Sequence, residues 1–263
     1  MKVAALLSEK ITLPNSLQEQ IYQAFLNWMN WLSDSAYKKD MYVISLLKAH
    51  GPTCKNKLQQ SLSDIINPYI QSQFPDHRVN VKISIANTTK INGKVDAEWV
   101  LNNYEYLTNT LLLVIPAETF KNIDKHADGI AVHWTSVAMH EITHLIQGAS
   151  SQWKSVDTAN FRGAKPNTKD VDYYSLKPEI EGHAQQTVSK LISYAEKHDD
   201  PVQFIKTTVL PKVIAFDPQL LGTQSTHRLF MVNMTGDTIV AKKARKLYYK
   251  RLYQKLENYI QQK

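Results

Sequence analysis

The segment His140-Glu141-Ile142-Thr143-His144 constrains this chain more than any other feature. Two imidazoles four residues apart address one point in space when the backbone between them is an α-helix, where i and i+4 lie one turn apart on one face. The spacing predicts a helix, with Glu141 projecting beside the pair. The flanks agree. Ala138, Ile142, Leu145, Ile146 and Ala149 recur at helical intervals and form an apolar stripe roughly opposite the histidines, and Gly148 stands where the helix is expected to end. The helical pattern begins at about Trp134.

Paired imidazoles on one helix face are a chelating set for zinc, and a glutamate that does not itself bind the metal can take a proton from water as a general base. Two histidines make an incomplete set, because a catalytic zinc takes three protein ligands and keeps its fourth position for water. Cys54 is the only cysteine in 263 residues, so no internal disulfide can form and the third ligand has to be His or a carboxylate. Gln147 and Ser150 stand where a metzincin would need Gly and His, which excludes that extension.

The best candidates lie downstream, in Tyr173-Tyr174-Ser175-Leu176-Lys177-Pro178-Glu179-Ile180-Glu181-Gly182-His183-Ala184. Pro178 suits a first helical turn, and Ile180, Ala184, Val188, Leu191, Ile192 and Ala195 make a core face. Glu179 and His183 fall on one side of that face, and Glu181 and Gln185 on the other, so both glutamates cannot address one metal. Either could instead simply complement the helix dipole. His126 and His133 read as ordinary loop or surface histidines.

His140-Glu-x-x-His144 followed by a helical Glu resembles the gluzincin class of zinc metallopeptidases, and the Tyr-Tyr…Pro-Glu-Ile-Glu arrangement is similar to that of uncharacterised phage-encoded metallopeptidases. The likeness runs from Trp134 to Ala184. It implies a zincin core, one zinc ion per chain held by His140, His144 and Glu179, and Glu141 as the base in peptide-bond hydrolysis of a protein or peptide substrate. In the gluzincin pattern the ligand Glu opens a run whose last residue supports a metal-binding His. His183 takes that place here, with Gly182 and His183 where Ala and Asp are usual. Tyr173, Tyr174 and His183 are the candidates by position for an oxyanion donor. The rival reading is a nucleic-acid- or protein-binding protein whose zincin core is inactive or structural. A weaker third is hydrolysis of another amide bond, such as one in a cell-wall peptide.

The rest of the chain reads as α+β in a single domain: a helical layer over 1–75, a core over 76–197, and a helical part over 198–263. Ser16 to Leu32 places Leu17, Ile21, Phe25 and Met29 at steps of four, with Asn15 or Ser16 as N-cap and Trp28 and Trp31 as anchors. Lys55 to Phe74 repeats the trend through Leu58, Leu62 and Ile65, with a bend expected at Pro68. Arg78 to Ala86 alternates like a half-buried strand, and Asn92-Gly93 signals a hairpin. Leu111 to Ile115 reads as a central strand and Tyr104 to Thr108 as an edge, giving a small mixed or antiparallel sheet; in a zincin an edge strand pairs with extended substrate. The polar stretch Ala149 to Asp172 is long enough to be a functional loop or flap.

The last helix, Asp237 to Gln262, carries Lys242, Lys243, Arg245, Lys246, Lys250, Arg251 and Lys255 around an apolar face of Tyr248, Leu252, Leu256 and Ile260. With a net charge of +7, this basic face is either a solvated surface or a dock for nucleic acid or an acidic partner. The start lacks the pattern of a signal peptide, and the longest apolar run, Leu111 to Pro116, is too short to span a bilayer. A cytoplasmic location without a membrane partner is expected, in the host cytoplasm or a virion if the chain is phage-encoded.

Overall fold

The computed structural model describes residues 13–39, 42–86, 93–99, 107–121, 123–150, 177–217, 219–220, 227, 230–232, 234 and 237–263. They divide into two compact units, Pro14–Ala149 and a second drawn chiefly from Ser150–Lys263. The described residues are mostly helical with one small sheet, an α+β composition.

In the first unit, α1 spans Asn15–Lys38 and buries Leu17, Ile21, Phe25 and Met29, as their spacing predicts, with Leu32 and Ala36 continuing the row. Its N-cap is Pro14, extended at φ −63° and ψ 143°, rather than Asn15 or Ser16, so no side chain caps the first turn. Helix α2 runs from Val43 to Gln73 and so begins well before Lys55. The break expected at Pro68 occurs instead at His50 (φ −127°, ψ 25°), ahead of Pro52, whose ring and missing N–H disturb the preceding turn. The inward row is Leu58, Leu62, Ile66 and Ile70; Ile65 is only half-buried. Trp28 joins the two helices by donating from Nε1 to the Cys54 carbonyl at 2.8 Å, and Lys57 lies 4.4 Å over the Trp31 ring.

The sheet has strands β1 (His77–Ala86), β2 (Gly93–Trp99) and β3 (Leu107–Pro116) in the order β1-β3-β2. β1 pairs parallel to β3, with Val81 opposite Leu111, and β2 pairs antiparallel to β3, with Val95 opposite Leu111. Leu111 to Ile115 is therefore central, as expected. Two expectations fail. β1 and β2 do not form a hairpin with each other, because β3 lies between them, and Leu107 and Thr108 belong to the central strand; the edge is β2. Asn92 and Tyr104 to Tyr106 lie outside the described residues.

The outer edge of β1 is closed by α2. Asn67 accepts from the Val79 N–H at 2.8 Å and donates to the Val79 carbonyl at 3.0 Å, and Gln59 accepts from the Ile83 N–H at 2.8 Å. Eight helical residues advance ~12 Å and four strand residues ~13 Å, so the two side chains meet backbone groups on the same edge in step. These bonds satisfy groups that would otherwise be an open pairing edge.

After a 3-10 turn at Ala117–Phe120, α3 spans Ile123–Ser150. It starts before Trp134 and runs two residues past Gly148. From Trp134 to Ile146 every residue is buried, so the apolar stripe is one side of a helix enclosed on all sides, not one face of a surface helix.

In the second unit, α4 is Lys177–Ala195. Pro201–Phe204, the π-helical turn Ile205–Val209 and Leu210–Ile214 follow one another and are together α5; Pro211, which lacks an N–H, sits just beyond the wide turn. Helix α6 is Ile239–Gln262, capped by Thr238, which accepts from the Ala241 N–H at 3.1 Å. Ile180, Ala184, Val188, Leu191, Ile192 and Ala195 of α4 share a core with Tyr248, Leu252 and Leu256 of α6. Buried polar groups there form a directed chain. Thr187 meets the Tyr248 hydroxyl at 2.7 Å, Tyr248 meets His227 Nδ1 at 3.1 Å, His227 Nε2 meets Tyr249 at 3.3 Å, and Tyr249 donates to the Asp217 carbonyl at 2.8 Å. Because Tyr249 spends its proton on Asp217, it accepts from His227 Nε2–H, which leaves Nδ1 to accept from Tyr248. Among the described residues, no helix is long and apolar enough to cross a membrane.

Two outcomes follow. Asn67→Ala, by orphaning both polar groups of Val79, should cost about 1–3 kcal/mol and lower Tm in a thermal melt. Burial pushes Lys190 and Lys255 down to about 8. Between that value and the ordinary lysine range the unfolded chain holds more protons, so these two groups make stability rise with pH over this window. Below it both states are protonated and the contribution is flat. Melts at pH 7.5 to 9.5 should show this rise, and Lys255→Met should reduce it, leaving the Lys190 contribution.

Candidate metal centre

Helix α3 is held at its start by α1. The Tyr22 hydroxyl donates to Asp128 Oδ1 at 2.5 Å, Ser33 Oγ donates to Asp124 Oδ1 at 3.2 Å, and the Trp28 ring meets Phe120 edge-on at 5.6 Å. Burial and the Asp128 carboxylate push the Tyr22 phenol up to about 12, so it remains a donor across the neutral range. The histidines lie farther along the same helix. Polar residues near them find partners on the helix itself: Thr143 Oγ1 donates to the Met139 carbonyl at 2.9 Å and Ser136 Oγ to the His133 carbonyl at 2.6 Å.

His140, Glu141 and His144 are each 8 % exposed. The two Nε2 atoms lie 2.9 Å apart and the rings stand at 81°. Two nitrogens at ~2.1 Å from one tetrahedral zinc would be ~3.4 Å apart, so a small opening of the pair admits an ion. His144 Nδ1 lies 3.0 Å from Gln147 Oε1, which fixes the proton on Nδ1 and leaves Nε2 with a lone pair.

On α4, Glu179 is 1 % exposed, and His183 Nε2 lies 3.8 Å from Glu179 Oε2, near enough for electrostatic attraction but too long for a hydrogen bond. His183 also leans on Phe230, with ring centroids 5.7 Å apart. Glu181 is engaged elsewhere. It pairs with Arg251, and with Lys255 Nζ at 3.9 Å, while Lys255 donates to Gln185 Oε1 at 2.9 Å. Pairs 181–251 and 185–255 repeat one turn apart, so the α4 side bearing Glu181 and Gln185 faces α6.

His140, His144 and Glu179 each offer a ligand atom, all within 4.8 Å of one another, and all three residues are buried; the group could hold a metal ion. Two imidazole nitrogens and a carboxylate oxygen suit zinc. Gln147 and the cations opposite Glu181 were not singled out from the sequence. The signals were present: Gln147 is three residues after His144, on the next turn, and Arg251 and Lys255 are four apart. His126 is exposed and His133 half-buried, its ring edge-on to Trp134 at 5.3 Å. Tyr173 and Tyr174 lie outside the described residues, as do 151–172 of the expected flap.

The basic helix divides its charge. Arg251 and Lys255 turn to Glu181 and Arg245 donates to the Met234 carbonyl, while Lys242, Lys243, Lys246 and Lys250 are exposed, with Lys242 Nζ 3.3 Å from Asp237. The expected seven-cation face is thus a row of four lysines.

Comparison with known proteins finds no family model that matches this chain, no similar curated protein and no similar solved structure.

Elemental analysis of the purified protein should find one divalent metal per chain. His140→Ala, His144→Ala and Glu179→Ala should each lose it, while Glu181→Gln should keep it and pay in stability by stranding Arg251 and Lys255.

Proposed function

We propose that this chain is a zinc-dependent peptidase of gluzincin type, hydrolysing a peptide bond in a protein or peptide substrate. The observation that carries the reading is the buried His140, His144 and Glu179 group with Glu141 adjacent to His140 on the same helix. The same donor set suits iron(II) oxygenases, but Glu141 has a task in hydrolysis and none in oxygen chemistry.

A bound zinc supplies Lewis acidity that lowers the pKa of water toward neutrality and polarises a carbonyl. Glu141 takes the proton from the attacking water and returns it to the leaving amine. Burial strengthens this step, since a carboxylate shielded from bulk solvent keeps its electrostatic leverage. His183 lies one turn from Glu179, close enough to attract its carboxylate electrostatically and in the place from which the gluzincin pattern supports the metal ligands. Strand β2, the antiparallel edge, is the strand with which an extended peptide would pair.

Cleavage profiling against a peptide library, wild type beside Glu141→Gln, tests this. The variant should retain its metal and lose about 10²–10⁴-fold in turnover, the usual worth of a general base. Full activity in Glu141→Gln would overturn the mechanism. Metal binding with no cleavage by the wild type would favour a binding protein built on the same core.

A further inference from the structure

We propose that Gln147 is the positioning residue of this centre, selecting the tautomer and fixing the ring angle of His144; the inference rests on the metal-site reading above. Gln147 is half-buried one turn beyond His144, and its Oε1 lies 3.0 Å from His144 Nδ1. An amide oxygen can only accept, so the bond requires a proton on Nδ1. A neutral imidazole then carries its lone pair on Nε2, and Nε2 is the nitrogen that faces His140 Nε2 at 2.9 Å. Without this acceptor, His144 is free to hold the proton on Nε2, the state that cannot bind a metal.

The identity of the acceptor matters as well. Metal-bound imidazoles commonly donate their second N–H to a carboxylate, which raises ligand basicity. Gln147 offers a neutral carbonyl, so it orients the ring without adding negative charge. With Glu179 as the one anionic ligand, a divalent ion leaves the centre with a net charge of +1. A carboxylate at 147 would cancel that charge and tighten binding; an apolar side chain would release the ring.

The test is metal affinity, with no substrate involved. Zn²⁺ and Co²⁺ dissociation constants are measured by competition with a chromophoric chelator for the wild type, Gln147→Leu and Gln147→Glu. The Co²⁺ absorption spectrum reports coordination geometry, and metal-free melting temperatures report the fold. Gln147→Leu should bind about 10–100-fold more weakly, and Gln147→Glu at least as tightly as the wild type. A merely structural role would move the melting temperature without this ordering. Wild-type affinity in Gln147→Leu, or a Gln147→Glu variant no tighter than Gln147→Leu, would overturn the proposal while leaving the metal centre standing. Absence of metal binding by the wild type would remove both. Should Gln147→Leu fail to fold, Gln147→Met takes its place in the same comparison.

Discussion

The enclosure of α3 is the constraint on which the rest depends. A helix buried on every side over Trp134 to Ile146 cannot solvate what it carries, yet this one carries two imidazoles and a carboxylate. Leaving such groups unsatisfied costs several kcal/mol each. The Ser136 and Thr143 hydroxyls bond backward to their own helix, His144 bonds forward to Gln147, and the imidazoles meet each other. Around this polar strip the helix is otherwise apolar, and α1 holds its first turns by two carboxylate bonds.

Helix α4 faces the same difficulty with two buried glutamates and resolves it asymmetrically. Glu181 is neutralised by two cations from α6, in a buried network where each member is costly to strip of its partners. Glu179 keeps company with imidazole instead. The distinction is chemical as well as geometric. A carboxylate between Arg and Lys is committed to neutralising charge, whereas one among imidazoles is placed to share a metal cation with them.

The helices were legible because their apolar residues recur at the helical period, and the paired histidines because their spacing has one simple backbone solution. The choice between Glu179 and Glu181 was not, because it turns on Arg251 and Lys255, some seventy residues away in sequence. The kink at His50 was not legible because the helical pattern is read only from Lys55, beyond Pro52, which leaves Pro68 as the one expected breaker. Strand β2 was half-hidden for another reason. Val95, Ala97 and Trp99 alternate with Lys94, Asp96 and Glu98, but the turn signal at Asn92-Gly93 suggested a partner in β1, where the register places β3.

The side chains of Asn67 and Gln59 that close the outer edge of β1 also give the sheet a direction. A strand whose N–H and carbonyl groups are spoken for by its own neighbouring helix cannot recruit another strand without first losing that helix. Among the described residues, the sheet's two edges therefore differ in kind: β1 is backed along its outer edge by side chains of α2, and β2 is the edge that pairs antiparallel to β3.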